Sequence, residues 1–114
     1  MPQTIRKYWA PQQGRVVLNY PWNIINQNSV VLVTAAECTA ETPTSNDHRF
    51  IGDASVTVES IAPYGPPNEA GQGVRFVVNV EWSSPLPIAT DITVLDAPPS
   101  LVVPYTPPPP PVVK

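Results

Sequence analysis

Apolar residues recur at every second position through much of the chain. From residue 74 to 82, Val74, Phe76, Val78, Val80 and Trp82 alternate with Arg75, Val77, Asn79 and Glu81, the period of a strand with one buried face. Ala54, Val56 and Val58 alternate in the same way with Ser55, Thr57 and Glu59, and Ile88, Thr90, Ile92 and Val94 with Ala89, Asp91, Thr93 and Leu95. Trp82 is therefore expected inside, where its loss would be severe. Residues 15–20 and 29–36 hold consecutive Val, Leu and Ile, a composition suited to strands buried on both faces. Residues 4–9, 49–51 and 101–105 are weaker strand segments. Residues 34–42 have room for one helical turn, and no longer stretch shows a 3.6-residue period.

About seven to eight short strands separated by turn clusters predict an all-β fold, an antiparallel β-sandwich of immunoglobulin-like outline, over residues 1–96. A proline-rich C-terminal extension follows over residues 97–114, with Pro98 and Pro99 near its start and a proline run at 107–111. Such a run presets a polyproline II spacer or a ligand for proline-reading grooves. The cysteine pair of immunoglobulin domains is missing, because Cys38 is the only cysteine among 114 residues.

Composition narrows the function classes. One cysteine and one histidine, His48, leave no disulfide framework, no Cys/His zinc site and no pair of histidines for acid and base. No nucleophile elbow, phosphate loop, dinucleotide fingerprint or H-E-x-x-H motif is present, so neither an enzyme nor a cofactor is expected. Cys38 and His48 share one connecting segment, but nothing supplies a third orienting group, and a structural cysteine beside a loop histidine is the expectation. Asp47, Asp53, Glu69, Asp91 and Asp96 lie in or near turns without the spacing of a calcium loop; no metal is expected.

Charge is sparse and uneven. Charged residues make up 13% of the chain, against about 25% in ordinary domains, while prolines number 17. A neutral surface points to cover by a neighbour. Residues 1–36 hold Arg6, Lys7 and Arg15 with no acid, and all nine acids lie in 37–96 beside only Arg49 and Arg75. An acidic body lacks the cation clusters that bind phosphate backbones, so no nucleic acid is expected. The longest apolar run, residues 30–33, falls far below the roughly 18 residues of a membrane helix. No apolar segment near Met1 reads as a signal peptide. The expectation is synthesis in the cytoplasm with no membrane partner.

Two surfaces stand out. If the strands at 15–20, 29–36, 49–61 and 74–82 run alternately up and down, loops 21–28 and 62–73 share one end. That gathers Trp22, Asn23, Asn26, Asn28, Tyr64, Asn68 and Glu69, aromatics among amides as a carbohydrate site requires. The grouping assumes that Gly52-Asp53 is a bulge within one strand; a hairpin turn there would separate the loops. The second surface is the arm. Leu101, Val102, Val103 and Tyr105 are β-formers around Pro104, which suits an edge strand of this sandwich or of another subunit. The leading expectation is a structural β-sandwich that forms homo-oligomers or decorates a larger assembly such as a viral particle or tail. A lectin-like module binding a glycan is the alternative.

Overall fold

The alternating segments form strands, and their inward halves form one core. The computed structural model describes residues 2–39, 47–95, 99 and 101–106. Its strands are β1 (Gln3–Gln12), β2 (Gly14–Pro21), β3 (Val31–Cys38), β4 (Arg49–Phe50), β5 (Ser55–Tyr64), β6 (Gly73–Glu81) and β7 (Leu86–Val94). They make a four-stranded sheet in the order β1-β7-β3-β4 and a three-stranded sheet in the order β2-β6-β5. Every neighbouring pair is antiparallel. This is a β-sandwich with the four-plus-three division of an immunoglobulin constant-type domain and a strand order of its own.

Val74, Phe76, Val78 and Val80 of β6 are buried together with Ile88, Ile92 and Val94 of β7, Val31 and Val33 of β3 and Leu18 of β2. Thr90 is the one buried polar residue among those described, and the Trp9 indole N–H donates to its hydroxyl at 2.9 Å. Trp9 in turn meets Phe76 edge-on, with ring centroids 6.1 Å apart.

Four expectations are corrected. Trp82 is 43% exposed. β6 ends at Glu81, and the Trp82 N–H donates to the Val80 carbonyl at 3.1 Å, a tight turn that breaks the alternation one residue too early for Trp82 to point inward. β2 and β3 are not buried on both faces: Val17 and Leu32 point outward and are exposed, since in a two-layer sandwich each sheet has one covered face. Residues 34–38 continue β3 instead of forming a helical turn, and residues 40–42 of that segment lie outside the described residues. Residues 49–61 are not one strand. β4 pairs with β3 in one sheet, and the chain then crosses at residues 51–54 to become β5 in the other, keeping its direction. Gly52-Asp53 is thus a corner between sheets, neither a bulge nor a hairpin. The bulge of β5 lies between Val58 and Ser60.

The segregated charges recombine across strands. On the outer face of the four-stranded sheet, Arg6 of β1 donates twice to Asp91 of β7, at 2.7 and 3.0 Å. Arg49 of β4 donates to the same carboxylate at 2.7 Å and to the Thr34 hydroxyl at 2.9 Å. On the other sheet Arg15 pairs with Glu59 at 3.0 Å. The Arg6 bonds are the largest cause holding the Asp91 carboxyl below its ordinary range, with Arg49 adding to them and partial burial opposing. A carboxylate depressed by folding contributes stability that is complete above the unfolded pKa of about 3.9 and is lost as pH falls through the lower folded value. Asp91→Asn should therefore cost about 1 kcal/mol at neutral pH, most of the pair energy being screened at half-exposed Arg6. The difference from the parent should shrink in urea titrations carried below pH 4, and a constant difference would show that the ion pairs are idle.

Candidate functional site

Strand register brings the two predicted loops to one end. Pro21 and Tyr64, the last residues of β2 and β5, both pair with Gly73, the first of β6, so residues 22–30 and 65–72 leave from adjacent strands. The loops are tied directly. The Trp22 N–H donates to the Gln72 carbonyl at 3.0 Å, and the Gln72 amide to the Ile25 carbonyl at 3.0 Å. Gly65 sits so close to Asn26 that a Cβ there would lie 2.7 Å from the Asn26 Cα. The corner at residues 51–54 preserves strand direction, which is why the loops meet without a bulge at Gly52.

The two rings nevertheless lie on opposite faces of the three-stranded sheet. Trp22 is half-buried, packs against the core, and meets Tyr20 edge-on at 5.9 Å. Tyr64 lies on the outer face over Gly73, where the absence of a side chain leaves room for its ring. Its hydroxyl donates to the Asn19 side chain at 2.6 Å, and the Arg75 guanidinium stacks 3.9 Å from its ring centre. Arg75 also forks onto Glu69 at 2.9 and 3.0 Å, which holds the Glu69 carboxyl below its ordinary range. Short-range bonds fix both loops, and among the predicted amide side chains that of Asn26 takes part in them. Asn26 accepts from the Asn28 N–H at 2.9 Å, the Ser29 hydroxyl oxygen accepts from the Asn26 N–H at 2.9 Å, and the Asn68 N–H donates to the Gly65 carbonyl. Asn23 is exposed on the same loop. The site residues thus share an end of the sandwich, and of the two predicted rings Tyr64 is the one stacked by a cation.

The loop end also carries the beginning of the arm. The Leu95 N–H donates to the Val30 carbonyl at 3.0 Å, so the chain leaves β7 beside residues 27–29. A cleft of about 420 Å³ is lined by Gln27, Asn28, Ser29, Pro99 and Val102. Gln27 and Ser29 were not marked by sequence reasoning in this role, because nothing along the chain signals that the arm passes this loop. Residues 101–106 belong to no strand. Leu101, Val102, Val103 and Tyr105 are 75–80% exposed. The expected edge pairing of this segment is therefore not made within the chain. The proline run at 107–111 lies outside the described residues.

Cys38 and His48 are placed differently from one another. Cys38 is the buried last residue of β3 and pairs with Arg49, whereas His48 is exposed, exchanging bonds with Thr39 at 3.0 Å. Among the described residues no group of three His, Cys, Asp or Glu side chains converges as metal ligands would. No protein-family model, curated protein or solved structure matches the chain.

Proposed function

We propose that the protein is a non-catalytic structural module that self-associates, or builds onto a larger assembly such as a viral particle or tail, through its C-terminal arm. The observation that carries this reading is the arm itself. A segment outside every strand with four large apolar side chains three-quarters or more exposed gains nothing from water, and contiguous exposed apolar surface of this kind marks interaction sites. The segment joins no strand of the sandwich, and β-strand addition to a sheet edge supplies affinity through main-chain bonds. The low charge of the chain accords with a surface covered in use.

The test is a pair of truncations. Ending the chain after Asp96 should lower the mass found by sedimentation while circular dichroism still reports a folded β-domain; ending it after Thr106 should change the mass much less. Full assembly of the shorter chain would reduce the arm to a spacer. Failure of the shorter chain to fold at any concentration would make residues 101–105 an integral strand.

The convergence of loops 22–30 and 65–72 favours a second reading, a glycan-binding module with Trp22 as the stacking ring. Tyr64 contributes less to it than its sequence position suggests, since Arg75 occupies its face. Binding on a glycan array that disappears in Trp22→Ala would favour this reading over assembly.

A further inference from the structure

We infer that the arm of one copy adds as a strand along the β2 edge of a second copy; this rests on the assembly reading above and names the surface that receives the arm. The sandwich presents several edges, and all but one carry devices that discourage pairing. β1 turns Lys7 toward the inner face, opposite buried Thr90, and its register slips between Trp9 and Gln12. An inward charge and an irregularity of this kind are two of the ways edges are protected. β5 has its bulge at Val58–Ser60 and Pro63 near its end, and β3 runs close beside it. β4 is two residues long.

β2 has no bulge, no register slip and no inward charge, and its one proline is its last residue. Its register with β6 is unbroken from Gly14 to Pro21, no proline precedes Pro21, and its inward positions Val16, Leu18 and Tyr20 carry no charge. Val17, on its outer face, is 63% exposed. β1 does not shelter it, since the two strands make scarcely any close approach beyond the turn at Gln13, in contrast to β3 and β5 on the opposite side. Its one charge, Arg15, lies on the outer face and is paired with Glu59, and an uninterrupted edge with no inward charge accepts another strand readily.

The arm has the complementary chemistry. In an extended strand the donors and acceptors of residues 101, 103 and 105 point to one side and those of 102 and 104 to the other. With the first set facing β2, Pro104, which has no N–H, faces away. The added strand is then an edge that a further strand cannot join fully, so addition stops at one arm per sheet. Residues 96–100 span at most roughly 20 Å between Leu95 and Leu101, enough to reach a neighbour packed edge to edge. Reciprocal exchange makes a closed two-fold dimer.

The experiment uses the full chain. Val17→Cys and Val102→Cys, both at exposed positions, are prepared separately, mixed in equal amounts and treated with a short bismaleimide; the parent with its buried Cys38 controls for background. The expected result is a shift of the covalent mass from one chain to two in the mixture, and not in either variant alone. A native mass above one chain without this product, while Thr57→Cys on β5 does couple to Val102→Cys, overturns the β2 assignment and leaves self-association standing. A native mass of one chain at all concentrations overturns both. In the doubly substituted chain, coupling that leaves the mass at one chain would show the arm on its own β2 and likewise overturn exchange.

Discussion

Replacing Phe76 by alanine is expected to lower the stability of the domain by about 3–5 kcal/mol, a large share of the 5–15 kcal/mol typical of whole domains. Phe76 is 1% exposed at the middle of β6, the central strand of its sheet, with Leu18 and Ile61 beside it in register. Its ring is the one that Trp9 meets from the opposite sheet. The cavity left behind is bounded by hydrogen-bonded strands on both sides, so little can move in to fill it. Urea unfolding should show a lower midpoint with an unchanged slope, the mark of lost stability without a changed denatured state. Trp82→Ala makes a useful contrast. Trp82 is larger, but it lies beyond the end of β6 and keeps much of its surface in water, so its removal should cost less than that of Phe76. The reverse order would place Trp82 in the core and shift the inward set of β6.

The two residues also show how far alternation can be read. Period two identified Val74, Phe76, Val78 and Val80 as one buried face, because a strand has no other way to place every second side chain against a core. It carried no information on where the strand stops, and Trp82 was lost to a turn one residue past the end. In β2 the run Val16-Val17-Leu18 resembles a strand covered on both faces, yet Val17 faces water at an edge. Local composition cannot register whether a second layer exists. The loops were legible in one respect and not in another. Strand direction sufficed to bring residues 22–30 and 65–72 to one end. The face on which each ring falls depends on register against β6, and it separates Trp22 from Tyr64. For the arm, Leu101, Val102 and Val103 favour an extended chain whatever their partner, so β-propensity alone could not say that they join no strand of this sandwich.

The last expectation concerns Gly73, where the register of all three strands in the smaller sheet and the geometry of the loop end converge. A Cβ at this position would lie 2.5 Å from the Tyr20 carbonyl oxygen, 2.6 Å from the Tyr64 hydroxyl oxygen and 2.8 Å from the Pro21 Cα. The hydroxyl belongs to a ring that could swing away, at the expense of its bond to Asn19 and its stack with Arg75. The other two obstacles are backbone atoms of β2, and they yield only if β2 parts from β6 at that end. Gly73→Ala should therefore cost about 2–3 kcal/mol, the upper part of the range for overpacked sites. It should also loosen the loops, since the bond from the Trp22 N–H to the Gln72 carbonyl spans this junction, and hydrogen exchange at the Trp22 amide should accelerate more than at amides in the middle of β6. Gly71→Ala is the matched control, because a Cβ there meets only the edge of the Tyr64 ring at 3.8 Å, an ordinary contact. It should alter stability by no more than about 0.5 kcal/mol. Equal effects of the two substitutions would mean that chain flexibility, and not the close approach of β2 and Tyr64 to Gly73, requires glycine in this segment.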